Sequence, residues 1–83
     1  MKHEELVGFL KDLTILLQGK YNDTLGSRRK RESEADYQFR IGQNFAYYDA
    51  LDLIRSQLLS FGIPTQELEP VVPELGQPSL GRN

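Results

Sequence analysis

Few residue types in this chain of 83 residues could carry catalysis, because it contains no cysteine and one histidine. That histidine, His3, stands beside the N-terminus, so no Cys/His or Ser/His/Asp arrangement can be assembled around it. Asp49 and Asp52 have the spacing of paired carboxylates that hold Mg²⁺ in helical nucleotide hydrolases. The N-terminal carboxylates lack the spacing of a second pair, and Arg55 can neutralise Asp52 within one helix. We therefore predict no enzyme activity, no catalytic residues, no metal and no cofactor; a carboxylate-metal hydrolase is the third hypothesis.

Four consecutive basic residues form the strongest local charge in the sequence. They are Arg28, Arg29, Lys30 and Arg31. Such a cluster could contact the phosphates of a nucleic acid or of an anionic lipid. Basic stretches that bind nucleic acid usually contain five to eight residues, so this run of four is short. In addition, no aromatic residue is interleaved with it, and the net charge of the whole chain is −2. We predict a solvated turn balanced by Glu32, Glu34 and Asp36, and keep an accessory nucleic-acid-binding protein as the alternative function.

A long amphipathic helix between Ser33 and Gly62 is the element around which the rest of the chain is organised. Ser33 followed by Asp36 is a helix-start pattern, in which the serine side chain accepts a backbone hydrogen bond. At the other end Gly62 can adopt the left-handed conformation of a Schellman motif, and Pro64 prevents continuation. The spacing of the apolar residues between these signals predicts a helix over the whole stretch.

This helix carries apolar residues over roughly half of its circumference, more than the stripe of about 100° that one core requires. A helix of this kind needs more than one neighbour. We predict an oligomer interface that includes two polar positions, Asn44 and Arg55, within the apolar stripe. Its residues are Ile41, Asn44, Phe45, Tyr48, Leu51, Ile54, Arg55 and Leu58.

A first helix is predicted to begin near His3 and to carry one apolar stripe. The stripe consists of Leu6, Phe9, Leu10, Leu13, Leu16 and Leu17, with Gln18 among the residues that face away. The helix could end at Gly19, but that would leave an unusually long connection. We predict that it continues to about Leu25, weakened or bent at Gly19, and that Gly26 to Glu32 connects the two helices.

All four prolines lie in the last twenty residues, so residues 64–83 differ in kind from the helical residues 1–63. Proline removes backbone donors and fixes φ, which excludes this segment from a sheet or a continued helix. The apolar residues Leu68, Val71, Val72 and Leu75 predict that residues 64–75 dock against a helical surface. Residues 77–83 are predicted to be mobile.

These patterns together predict an all-α protein, an antiparallel helical hairpin with a Pro-rich C-terminal arm. Two helices cannot enclose a core, so we expect two hairpins to dimerise into a four-helix bundle. The predicted function is that of a small non-enzymatic oligomerisation or adaptor protein that binds a protein partner through the bundle surface or the arm. No signal-peptide pattern and no apolar run of ~20 residues is present, so the expected location is cytoplasmic, with no membrane partner.

Overall fold

Two helices that pack against each other form the body of the protein. The structure, a computed structural model, describes residues 2–63, 72, 73 and 76–78. Helix α1 spans His3–Asp23 and helix α2 spans Glu34–Ser60. They run antiparallel: α2 meets the last turn of α1 at Asn44, and its own last turn lies beside Leu10. Over the described residues there is no strand, which confirms the predicted all-α helical hairpin.

Both ends of α2 follow the predicted capping chemistry. The Ser33 side chain accepts a hydrogen bond from the Asp36 backbone amide at 3.1 Å. At the C-terminus Gly62 has a φ of 68°, a left-handed conformation that glycine adopts without strain. The amides of Gly62 and Ile63 donate to the carbonyls of Leu59 and Leu58 at 3.1 and 2.8 Å. This pair of bonds is the Schellman motif, and the prediction is confirmed.

Helix α1 begins at His3, as predicted, and continues past Gly19 to Asp23. An end at Gly19 is therefore excluded, and the helix stops two residues before the predicted Leu25. Thr24 ends it, because its hydroxyl donates to the carbonyls of the preceding turn, Lys20 and Tyr21, both at 3.0 Å. Gly26, with a φ of 105°, then turns the chain into the connection.

The core between the helices is narrow. Its buried apolar residues are Tyr21, Leu51 and Leu58, and its buried polar residues are Thr14, Gln18 and Arg40. The ring of Tyr21 lies against that of Tyr48, with centroids 6.3 Å apart. A core of this size stabilises a fold by only a few kcal/mol.

The orientation of α1 differs from the predicted one. Gln18 was predicted to face away from the core, and it is buried. The residues of α1 that face α2 are Thr14, Gln18 and Tyr21. The hydrogen bond from the Asn44 side chain of α2 to the Tyr21 carbonyl fits this orientation. This rotation turns part of the predicted leucine stripe toward solvent.

The C-terminal segment contributes two described contacts to the hairpin and one buried residue. Val72 packs against the Tyr21–Leu51 core, and Pro73 is buried. The Gly76 amide donates to the Tyr21 hydroxyl at 3.2 Å. The other residues of the arm, 64–71, 74, 75 and 79–83, lie outside the described part of the chain. Docking over residues 64–75 and mobility over residues 77–83 therefore stay predictions.

One buried hydroxyl in the described core has no hydrogen-bond partner, that of Thr14. A buried hydroxyl that loses its bonds to water without replacing them destabilises the fold. Threonine and valine have nearly the same shape, so Thr14 occupies a position where an apolar side chain would fit.

We predict that Thr14→Val raises the free energy of unfolding by about 1–3 kcal/mol, since it removes an unsatisfied buried group. The matched control is Thr24→Val, because the Thr24 hydroxyl bonds two carbonyls and accepts from the Asn44 side chain at 3.0 Å. Chemical denaturation should show stabilisation at position 14 and destabilisation at position 24. Destabilisation at position 14 would show that its hydroxyl is bonded in solution.

Candidate interaction surface

A buried arginine fixes the end of the hairpin at which the chain turns. Arg40 is 6% exposed. Its Nη1 donates to the carbonyls of Thr24 and Leu25, both at 3.0 Å, and of Gly26 at 3.3 Å, while Nη2 donates to Ser27 at 3.0 Å. These carbonyls belong to the four residues that follow α1. The positive charge of Arg40 also interacts favourably with the negative, C-terminal end of the α1 dipole.

Glu32 completes this arginine site. The Arg40 Nε and Nη2 atoms donate to its two carboxylate oxygens at 2.8 and 2.7 Å, a bidentate geometry that the planar guanidinium favours. A further hydrogen bond reaches Glu32 from the Arg29 amide at 3.0 Å. The hydrogen bonds from Arg40 and then from Arg29 lower the pKa of Glu32 to about 2. The same pairing raises the pKa of Arg40.

The basic cluster lies on the connection between the helices, as predicted, and two of its members are engaged within the chain. The Arg28 Nη1 atom forms an exposed ion pair with Glu34 at 3.1 Å. The Arg29 Nη2 atom donates to the Asp23 carbonyl at 2.7 Å. Lys30 and Arg31 are exposed. Arg28 and Arg29 are thus bonded within the chain. The pairing of Arg28 with Glu34 agrees with the prediction that nearby acids balance the cluster.

The carboxylates considered for metal binding have the intrahelical arrangement predicted for them. Asp52 pairs with Arg55 at 2.8 Å on the same helix, and Asp49 is exposed. Over residues 2–63, 72, 73 and 76–78, no three side chains of His, Cys, Asp or Glu are grouped as a metal ion would require. His3 is exposed at the start of α1.

The hairpin buries or bonds some of the residues predicted to form an oligomer interface and leaves the others half-buried or exposed. Leu51 and Leu58 are buried against α1, and the Asn44 amide donates to the Tyr21 carbonyl at 2.9 Å. These three are occupied within one chain. Of the remainder, Phe45 and Arg55 are exposed, and Ile41, Tyr48 and Ile54 are half-buried. An interface made by these residues stays a prediction.

Large hydrophobic side chains lie on the outside of the hairpin. Nine of them are between 45% and 76% exposed, against three buried apolar residues in the described core. They are Leu6, Phe9, Leu16, Phe39, Phe45, Leu53, Leu59, Phe61 and Ile63. Single exposed hydrophobics are normal on any protein, but a contiguous apolar patch marks an interaction surface.

An apolar groove of about 280 Å³ opens at the end of the hairpin opposite to Arg40. It is lined by one residue of α1, several residues of the last turns of α2, and the last residue of the Schellman motif. The lining residues are Leu10, Leu53, Ile54, Gln57, Leu58, Phe61 and Ile63. Gln57 supplies the one polar side chain of this lining.

Helical geometry assigns the exposed residues to two flanks. Residues that directly precede a contact position, such as Phe9 before Leu10 and Leu53 before Ile54, project to one flank, because the helices are right-handed and antiparallel. We call it the open flank. Its large exposed residues are Leu6, Phe9, Phe39, Leu53 and Phe61. Leu16 lies on the back of α1, since it is two residues from both buried Thr14 and buried Gln18.

Residues that directly follow contact positions project to the opposite side, which we call the charged flank. It carries Lys11 on α1 and Phe45, Asp52, Arg55 and Leu59 on α2.

Comparison with protein-family models, with curated proteins and with solved structures finds no match to this chain. Neither helix of the described part is long and apolar enough to cross a membrane.

The arginine site predicts how acid acts on the fold. Because folding lowers the pKa of Glu32 from 4.5 to about 2, its contribution to stability is present above pH 4.5 and is lost as the pH falls toward 2. We predict that Glu32→Gln removes this part of the acid dependence of the unfolding free energy, measured by denaturation between pH 5 and pH 2. Glu34→Gln, at the exposed ion pair, is the control. Equal acid dependence in the parent and in Glu32→Gln would contradict the assignment.

Proposed function

We propose that this protein is a small non-enzymatic helical module whose hairpins assemble with each other into a four-helix bundle. The observation that supports it is the ratio of exposed to buried apolar side chains. Nine large hydrophobics are exposed on a hairpin whose described core buries three. Each Leu or Phe that leaves water on assembly contributes about 1.5–3 kcal/mol.

The bundle is the simplest assembly that gives each helix a second neighbour. Two-fold symmetry brings the same surface of both copies together, so one apolar face serves both partners. Antiparallel hairpins of similar helix length then form four helices around a common core. The resulting bundle could present its outer surface, or its C-terminal arm, to another protein as an adaptor does.

The alternative functions have less support in the geometry. For nucleic acid, two of the four basic side chains, Arg28 and Arg29, are bonded within the chain. For a metal-dependent hydrolase, Asp52 is paired with Arg55. Assembly, by contrast, uses the large hydrophobic side chains that the hairpin leaves exposed.

We predict a solution mass of at least twice the 9.5 kDa of one chain, measured by light scattering after size exclusion at micromolar concentration. The physical reason is the apolar surface that a lone hairpin leaves in water. A folded, cooperatively melting protein with the mass of one chain at that concentration would contradict the proposal.

A further inference from the structure

We infer that the two copies meet through the open flank, so that the occupant of this face is a second copy of the same chain. The inference rests on the proposed function and adds to it the face that is used. It differs from the interface predicted from the sequence, which also includes Phe45 and Arg55 on the charged flank.

The open flank lacks charge at its groove. The groove is lined by six apolar side chains and Gln57, and by no charged side chain. A face of this composition offers no ionic group to an oppositely charged partner. It can meet its own copy without like-charge repulsion, which a two-fold axis would impose on any charged face.

The charged flank is less suited to self-association. It exposes the Asp52–Arg55 ion pair between its apolar residues, with side chains that are 43% and 51% exposed. Burying this pair would remove two charges from water, at a desolvation cost that their mutual attraction often does not repay. Phe45 and Leu59 are separated along α2 by these charges.

The shape of the open flank is self-complementary. It carries both a groove of about 280 Å³ and protruding aromatic side chains, Phe9 and Phe61, beside it. In a two-fold interface, a contact from residue i of one copy to residue j of the other is repeated from residue j to residue i. A projection and a recess on the same face can therefore fill each other in both copies. Side chains that enter a recess form the well-packed centre that dominates binding energy in most interfaces.

The area is also sufficient. Five Leu and Phe side chains of the open flank that are about half exposed or more present on the order of 500 Å² of apolar surface. This is a large part of the ~800 Å² that each partner contributes to a standard interface. The open flank can therefore supply the apolar centre of a stable dimer without help from the opposite side.

A matched pair of leucines tests this assignment. Leu53 on the open flank is 64% exposed, and Leu59 on the charged flank is 62% exposed, both on α2. We expect Leu53→Glu to raise the dissociation constant of the dimer at least about 30-fold, the cost of a central interface residue. Leu59→Glu should leave it nearly unchanged. Sedimentation or light scattering over a dilution series measures both, with circular dichroism as the check on helix content.

The possible results distinguish an error in the assigned interface from an error in the proposed function. If both variants keep the dimer, or if Leu59→Glu alone dissociates it, the open flank is not the interface, while self-association stands. If the parent protein is a monomer at all accessible concentrations, the proposed function fails, and this inference with it.

A second readout covers the case in which Leu53→Glu does not fold. The chain has no cysteine, so Leu53→Cys and Leu59→Cys each introduce a single thiol. We expect iodoacetamide to react more slowly with Leu53→Cys as the concentration rises through the range in which the mass doubles, and Leu59→Cys to keep its rate. A concentration-independent rate at position 53 in a protein that dimerises would overturn the assignment.

Discussion

The constraint on which this structure depends is that a two-helix hairpin can bury only the line along which its helices touch. That line contains Tyr21, Leu51 and Leu58, together with buried polar residues of α1. The apolar residues of the described chain exceed what this line can hold, since nine large hydrophobic side chains are exposed. The surplus lies outside the hairpin, and its burial requires a surface that one hairpin does not have.

The two ends of the hairpin are held by different physical chemistry. At the connection, Arg40 donates hydrogen bonds to backbone carbonyls and forms an ion pair with Glu32 in a nearly buried site. Replacing one partner would leave the other charge buried and unpaired, a change that costs more than the pair itself contributes. At the opposite end, the groove beside Phe61 is apolar and open. Polar bonds thus define the hairpin's geometry at one end, and its free apolar surface is concentrated toward the other.

Local features of this fold could be predicted from sequence, and tertiary ones could not. The Ser33 cap, the Schellman motif at Gly62 and the continuation of α1 past Gly19 follow from spacing within a few residues. Arg40 gave no such signal, because its partners are carbonyls more than ten residues away that the turn brings together. The one available hint was an arginine inside an apolar stretch of a predicted helix.

The rotation of α1 could not be predicted either, for a related reason. A helix with a wide apolar stripe can bury several adjacent lines, and the choice among them is made by its neighbour. Here the Asn44 side chain bonds the end of α1 and Tyr48 packs on Tyr21, which brings Gln18 into the core. Leu51 and Leu58, which were predicted to belong to an oligomer interface, are buried against α1. The apolar surface that stays exposed is therefore set by tertiary contacts.

The central proposal is that this hairpin assembles with a second copy of itself, which stabilises the folded state. The thermal midpoint of unfolding, measured by circular dichroism across a wide range of protein concentration, tests it most directly. Because dissociation accompanies unfolding of a dimer, mass action raises the midpoint as the concentration rises. The account predicts such a rise. A midpoint that stays constant from low to high concentration, with a cooperative transition, would show that one hairpin is stable alone and would contradict the account.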